Sequence, residues 1–406
     1  MSRKWRNILI VVFAVLLVAV GIWLLNRGND DFKAKYEGAN LSTDVSGIGR
    51  SNTYSAYVAQ YADLPAVTDE VPVDLTEFTG EGGKIDDDGV YTTDESLLTW
   101  KVSVPKAGLY NIRLDYLTTQ SRGVDIEREI AINGQVPFSG ASTLCFSRMW
   151  TDEGQARKDN QGNDIRPSQV ERFEKQTAYC RDDMGYQTEP YAFYFKEGEN
   201  ELTIRAVNEP VILFGITLTP IEKAKSYQEY LAEQPADPRN TDALNCNVII
   251  QGESAVLRSA PSLYARYDRS SSQTEPYSVT NTILNYIGGD PWTHPGEWIQ
   301  WDFEVPADGY YNISIKARQM YQRGALSVRS VYIDKEIPFE DLADVTFAYN
   351  TSWEMRTLAD QSGTPYRFWL KGGKHTIRME VTLGEMGPIL KEVEDSILIL
   401  NKIYRK

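Results

Sequence analysis

The stretch Trp301-Asp-Phe-Glu-Val-Pro306-Ala-Asp-Gly309-Tyr-Tyr311-Asn-Ile313 has a second copy at 100–112, and this repeat limits the folds open to the chain more than any other feature. In both copies alternating apolar positions lead into Val-Pro-x-x-Gly-x-Tyr-Asn-Ile. Proline stops ladder pairing and glycine accepts the positive φ of a turn, so each copy reads as strand, turn, strand. The register holds at 201 residues without a gap from Leu98/Ile299 to Phe138/Phe339, with 13 identities over 41 positions. Ordinary residue usage would give roughly two or three. The chain is therefore expected to carry two copies of one β-module.

The rest of the sequence fits that expectation. A chain of 406 residues has room for two or three cores. Aromatic residues make up 11% of it, glycine and proline are frequent, and its β-branched runs are short, which favours an all-β protein. The formal charge is −15 and the basic residues beyond the first few are scattered among acids, which argues against nucleic acid as a partner. Three cysteines, Cys145, Cys180 and Cys246, form no CxxC pair, and His294 and His375 are the only histidines, so a zinc site is not expected. Cys145 and Cys180 fall in one module, where a disulfide and two free thiols are both open readings.

Arg3, Lys4 and Arg6 precede an uncharged apolar run at 8–25, 18 residues long and just sufficient to span a bilayer. It ends without a small-x-small cleavage site, so residues 1–27 read as an uncleaved anchor with a cytoplasmic basic flank, the bulk of the chain lying outside the cell. Residues 28–53 are polar and Gly/Ser/Asp-rich, a flexible tether. Tyr54-Ser-Ala-Tyr57 and Ser226-Tyr-Gln-Glu-Tyr230 are two helix-like connectors with tyrosines three apart, each preceding a module. The modules with their connectors are placed at 54–220 and 221–406.

Strands are expected at 71–76, 97–104, 110–116, 128–132, 191–195, 201–206 and 211–219, and again at 248–252, 298–305, 311–317, 328–333, 366–370, 375–381 and 396–403. Seven or eight short strands per module suggest a two-sheet sandwich of the jelly-roll type. Trp150 falls beside Trp353, and Tyr191-Ala-Phe-Tyr-Phe-Lys-Glu-Gly beside Tyr366-Arg-Phe-Trp-Leu-Lys-Gly-Gly. From tryptophan to tyrosine the interval is 41 residues in the first module and 13 in the second. The extra segment, 151–186, is polar and reads as a long surface loop.

No catalytic constellation stands out: the histidines are solitary, and carboxylates are too abundant for any pair to be singled out. A non-catalytic role is expected. Aromatic and guanidinium groups in loops are suited to sugars, whose CH-rich faces pack on rings while Arg, Asn and carboxylates meet the hydroxyls. The candidates are Tyr286 and Trp292 in one loop, Tyr349, Trp353 and Arg356 in a second, and Trp150, Arg148 and Tyr186 in the first module. Arg122-Gly123 and Arg323-Gly324 recur between strands, and there a salt bridge closing the turn competes with ligand contact. Trp100 and Trp301 alternate in a strand and read as core, and Trp298, in the same strand as Trp301, is expected on the same face. The repetition of Trp150 and Trp353 also gives each a fold role to weigh against binding.

Gln251-Gly-Glu253-Ser, Gly296-Glu-Trp298-Ile-Gln-Trp301-x4-Pro306-x2-Gly309-Tyr-Tyr311 and Lys371-Gly-Gly-Lys-His-Thr-Ile-Arg378 before Asp395-Ser-Ile-Leu resemble the galactose-binding-like jelly rolls of family 6 and family 35 carbohydrate-binding modules. That resemblance implies glycan or oligosaccharide binding and a structural calcium near Glu253 and Asp395, with no other cofactor required. The first module departs from it, with Thr76-Glu77 and Gly215 at the comparable places. The order of anchor, connector and module, with Asn163-Asp-Ile-Arg-Pro-Ser-Gln-Val-Glu171, Glu189-Pro-Tyr-Ala-Phe-Tyr and Asn208-Glu-Pro-Val-Ile, resembles the N-terminal region of extracellular solute-binding proteins of Gram-positive sugar ABC transporters. In that family a periplasmic-binding-type domain follows, so the sequence would be a fragment or a stand-alone adaptor. The resemblance implies partnership with a sugar ABC-transporter permease or solute-binding domain. Without it, the same modules would serve as a spacer or protein-docking unit lacking glycan affinity, or as accessory modules of a glycan-acting enzyme.

Overall fold

The computed structural model describes residues 53–86 and 89–404. The expected membrane anchor and nearly all of the tether lie outside the described residues, among which no helix is long and apolar enough to cross a membrane. The described chain is mostly β and forms two sandwich-like bodies, each around its own hydrophobic core.

In the first body, Gly89–Val104 pairs with Phe78–Asp86 on one edge and Gly198–Asn208 on the other, and Ile126–Ile132 and Leu144–Phe146 continue outward. The facing layer is built on Gly108–Thr118. One edge of that strand takes Val211–Thr219, and the other takes Gln176–Tyr179 and Ala192–Phe195. The period-2 pattern sends Trp100, Ile112, Phe193 and Leu202 into the gap, where each is 0% exposed. In the second body a sheet runs through Trp298–Val305, Gly373–Thr382, Ser327–Ile333 and Val345–Phe347. Opposite it, Gly309–Tyr311 pairs with Phe368–Leu370 and Ser314–Ala317 with Glu354–Thr357.

The repeat extends to single bonds. The Trp100 and Trp301 indoles donate to Leu75 O (3.3 Å) and Gly252 O (2.8 Å), each tying the buried strand to the chain that enters its body. Tyr110 and Tyr311 donate to Lys106 O and Ala307 O, closing the Pro/Gly turn that precedes them. Asn133-Gly134 and Asp334-Lys335 make the hairpin that follows, all four at φ between 51° and 78°. Each connector does more than pack. Tyr54 and Tyr57 hydroxyls accept from Ala192 N and Tyr194 N, and Tyr227 and Tyr230 accept from Arg367 N and Trp369 N. The helices Tyr54–Ala59 and Tyr227–Glu233 thus use tyrosines three apart to occupy every second amide of an edge strand, which would otherwise be open to pairing.

Three expectations are corrected. Residues 248–252 form no strand: Val248, Ile249 and Ile250 are exposed and have no ladder partner, and a short 3-10 turn follows at Gly252–Ser254. Residues 396–403 belong to the helix Met386–Tyr404. Met386, Ile389, Leu390, Val393, Ile397, Leu400 and Tyr404 recur at helical spacing, and Lys391 pairs with Asp395 one turn on, so the 3.6 period prevails over the local β-branched run. The 151–186 segment is not a plain surface loop. Its strands Trp150–Asp152 and Gln169–Glu171 pair with each other, and the first also pairs with Leu257–Arg258, extending the second body's sheet. Arg258, 0% exposed, holds them there: its guanidinium grips both oxygens of Asp152 at 3.0 Å and donates to Gln169 and to Ala255 O. A polar sequence can build sheet when one buried arginine satisfies its side chains. The cysteines are free thiols.

Candidate functional site

The bend from Gly198–Asn208 into Val211–Thr219 passes through Glu209, a non-glycine residue at φ 64°. That conformation is costly for a side chain with a Cβ, and the site offsets the strain with charge. The Glu209 carboxylate is 0% exposed and accepts from Arg148 Nη2 (2.5 Å), Arg122 Nε (2.9 Å) and Ser121 Oγ. Arg148 also donates to Val124 O, Thr119 O and Glu171. Burial pushes the Glu209 carboxyl up, but the hydroxyl of Ser121 and the two guanidinium groups outweigh it and leave the group below its ordinary value. It stays an anion at neutral pH.

This anion anchors one wall of an open cleft of about 460 Å³ lined by Tyr91, Thr93, Asp94, Ser121, Arg122, Glu209 and Pro210. Arg122, with its side chain 65% exposed, is held by Glu209, by Asn208 Oδ1 at 2.6 Å and by Asp94 at 3.8 Å. Arg122 and the half-buried Tyr91 both line the cleft. The salt-bridge reading of Arg122 therefore holds, and the bridge fixes the guanidinium at the cleft. Arg323, its counterpart, is exposed and makes no ion pair among the described residues. Arg148, in contrast, is an internal clamp with no exposed surface.

In the second body the structure brings together Tyr286 and Trp353. Their rings meet edge to face at 5.8 Å. The Trp353 indole donates to Asp268 Oδ2 at 2.8 Å, Arg318 pairs with the same carboxylate at 2.9 Å, and its guanidinium lies 5.0 Å from the Trp353 ring. Burial raises the Asp268 carboxyl, yet hydrogen bonds from Ser270 and Trp353 and the charge of Arg318 hold it below the usual range. Buried Asn285 fixes the loop by bonding Asp268 N and O, Thr274 and Pro276 O. A Cβ at Gly289 would sit at ordinary contact distance, 3.6 Å, from both the Tyr286 ring and the Tyr321 hydroxyl, so it is the φ of +84° that calls for glycine between those two aromatics.

The other expected residues lie apart from this group. Trp292 packs against the second core under the Arg329 guanidinium at 4.3 Å, its indole donating to Glu297 O. Tyr349 is exposed, and Arg356, also exposed, lies 5.6 Å from the Phe347 ring. Trp150 is half-buried in the strand that joins the second sheet. Tyr186 faces Lys391 of the helix Met386–Tyr404 at 5.6 Å. The two residues of the expected calcium pair stand in a 3-10 turn, Gly252–Ser254, and in the helix Met386–Tyr404. Glu253 keeps one buried carboxylate oxygen without a partner, and burial raises its carboxyl, but Asp395 sits in a helix bonded to Lys391 instead of heading a strand. Among the described residues no group of three or more His, Cys, Asp or Glu could hold a metal ion. Sequence reasoning missed Tyr91, Asp94, Glu209, Asp268, Arg318 and Tyr321. The one available signal was Glu209-Pro210, an acid before a proline at a strand end.

No protein-family model matches the chain, and no curated protein does. Among solved structures it is similar to a GH26-CBM35 β-(1,4)-mannanase of Podospora anserina, with 13% identity and a TM-score of 0.23 over 44% of this chain and 32% of that one, so it spans about a third of that protein. A family 35 carbohydrate-binding module of Clostridium thermocellum matches at 11% identity and TM-score 0.22, over 37% of this chain and 98% of the module. A CBM35 of Paenibacillus barcinonensis matches at 13% identity and TM-score 0.22, again over 37% and 98%.

Proposed function

We propose that this is a non-catalytic carbohydrate-binding protein of the cell surface. Its two bodies are galactose-binding-like jelly-roll modules at 54–220 and 221–406, residues 1–27 anchor it in the membrane with the bulk outside the cell, and it works beside a sugar ABC-transporter permease or solute-binding domain. The carrying observation is the cleft of the first body, where a tethered guanidinium, a carboxylate, hydroxyls and a tyrosine ring share one concavity of about 460 Å³. That combination suits a saccharide: the ring takes a CH face while Arg122, Asp94 and Ser121 meet hydroxyls, and the size lies in the range of small-ligand pockets. The aromatic and arginine cluster around Trp353 supports a second contact point on the same class of ligand.

The test is a glycan array probed with the detergent-solubilised full chain, followed by calorimetric titration of the best ligand. Arg122→Ala and Tyr91→Ala should each weaken binding by about tenfold or more, the equivalent of roughly 1.4 kcal/mol. A folded protein that binds no glycan removes the proposal. Affinity that survives Arg122→Ala and disappears with Trp353→Ala moves the site to the second body.

A further inference from the structure

The cleft of the first body has a charge balance that narrows the ligand it can take, a step that rests on its reading as a saccharide site. Asp94, Glu209 and Arg122 line it. Glu209 holds its carboxylate against Arg148 Nη2 at 2.5 Å and Arg122 Nε at 2.9 Å. Behind that wall Arg148 is shared with Glu171 at 2.6 Å. Arg128, buried beside them, donates to Asn208 O at 2.8 Å, to Glu209 O at 3.0 Å and to the hydroxyl of Thr92 at 3.2 Å, next to the lining residues Tyr91 and Thr93. Three guanidinium groups, Arg122, Arg128 and Arg148, thus accompany three carboxylates, Asp94, Glu171 and Glu209. Within this group the formal charges cancel.

Exposure decides which of these charges a ligand would meet. Glu209, Arg128 and Arg148 are buried, whereas the side chains of Arg122 and Asp94 are 65% and 54% exposed and lie 3.8 Å apart. Arg122 is already held by Glu209 and by Asn208 Oδ1 at 2.6 Å, so its charge is balanced from within the protein. The mouth of the cleft therefore presents a hydrogen-bond donor beside an acceptor, with little net charge to attract an ion. An incoming carboxylate or sulfate would come close to Asp94 and meet like charge there. It would also approach a chain of formal charge −15. A neutral sugar meets neither obstacle, because one hydroxyl can donate to Asp94 while the adjacent hydroxyl accepts from Arg122.

We infer that the cleft selects neutral sugars with adjacent free hydroxyls and rejects uronates and sulfated sugars, and that Asp94 is the residue that sets this specificity. The selection has two parts. Arg122 and Asp94 recognise the hydroxyl pair in either kind of sugar, and Tyr91, in the same lining, supplies an aromatic ring for a CH face. The uncompensated part of the Asp94 charge then discriminates against the anionic sugar, since its bridge to Arg122 is long while that of Glu209 is short.

The experiment uses the detergent-solubilised full chain and calorimetric titration with a matched pair of ligands: the tightest neutral oligosaccharide of a glycan array, and the same oligosaccharide with a uronate ring in place of its terminal hexose. The neutral member should bind at least tenfold more tightly. Asp94→Asn keeps an acceptor oxygen and the side-chain size but removes one negative charge, so it should shift the ratio at least tenfold toward the uronate with an unchanged melting temperature. A salt series on the unmodified protein gives an independent reading. Raising ionic strength from about 0.02 M to about 0.5 M should shrink the discrimination by screening the exposed Asp94 and leave the neutral affinity unchanged. A uronate or sulfated glycan at the top of the array, a ratio unchanged in Asp94→Asn, or a discrimination indifferent to salt would overturn the inference and leave the saccharide reading standing. Folded protein that binds no glycan of either kind would remove both.

Discussion

Replacing Arg148 by methionine tests whether the cleft is built on a buried ion cluster. The Arg148 side chain is 1% exposed and donates to two carbonyls, Ser121 Oγ, Glu171 and Glu209. Methionine keeps the volume of the stem and none of the donors. Glu209 would retain Arg122, whose side chain is 65% exposed and so compensates it less well. Breaking a buried pair costs about 3–5 kcal/mol, and the surviving partner places this case near 3. Val124 O, left without a donor, and Thr119 O, left with the Ser121 hydroxyl alone, together add up to about 2 kcal/mol, for a total of about 5. For a body of this size that corresponds to a fall in melting temperature of roughly 10–20 °C, measurable by circular dichroism as loss of the first body's transition. Glu209→Gln alone should also destabilise. The double variant, in which neither charge is left unpaired, should cost at least about 2 kcal/mol less than the sum of the singles. The pH dependence has a defined sign. The folded-state carboxyl of Glu209 lies below its ordinary 4.5, so its stabilisation is present above pH 4.5 and is lost as pH falls through the lower folded value. Arg148→Met should flatten that acid limb. A single variant within 1 kcal/mol of wild type, or costs that simply add, would refute the cluster as a paired unit.

Two further outcomes follow from single hydrogen bonds. Tyr57→Phe removes the acceptor of the Tyr194 amide and should cost about 1 kcal/mol, with faster exchange at that amide; Tyr227→Phe should cost less, because the Arg367 residue it serves is exposed and water can replace the hydroxyl. Equal costs would contradict the edge-capping role. His375 is lowered by burial, but its bonds to Lys371 O and Asp334 outweigh this and raise it above the ordinary 6.5. Its stabilisation is complete below pH 6.5 and lost as pH rises through the higher folded value, so the melting temperature should decline across that window in wild type and stay level in His375→Gln.

What could be read from the sequence was what period and repetition encode. Trp298–Val305 was placed to the residue, and Val211–Thr219 likewise, because alternation and Pro/Gly punctuation are local signals. The errors have one physical origin. Residues 248–252 and 396–403 are β-branched enough to read as strands, but a strand exists only if a ladder partner reaches it, and partnership is decided elsewhere in the chain. The reverse error occurred at 151–186, where polar residues become strands because Arg258, over 80 positions away in sequence from its partner Gln169, supplies the buried partner they need. The cleft was half legible. Arg122 was singled out as a repeated group, but Glu209, which fixes it, has no repeat and no periodicity to betray it.

The repeated arginines Arg128 and Arg329 show how repetition and function separate. They occupy one register of the repeat, and burial lowers both to about 10. Yet Arg128 donates to Asn208 O and Glu209 O, bracing the very bend that forms the first cleft, while Arg329 donates to Trp292 O and stacks beneath its ring. The same residue supports whatever the loop above it has become. In the first body the turn after Gly198–Asn208 is two residues long and leads straight into a strand, so Arg128 braces the backbone of a bend that carries a carboxylate, and the edge is closed. In the second, Gly373–Thr382 leads into a helix, and among the described residues no carboxylate bonds Arg329 and no strand pairs along that edge. The two copies thus part at one turn, with a charged cleft in one and a helix in the other, and a graft of Asn208-Glu209-Pro210 with Val211–Thr219 after Thr382 should extend the second body's sheet, read as slower hydrogen exchange at Ser314 and Lys316.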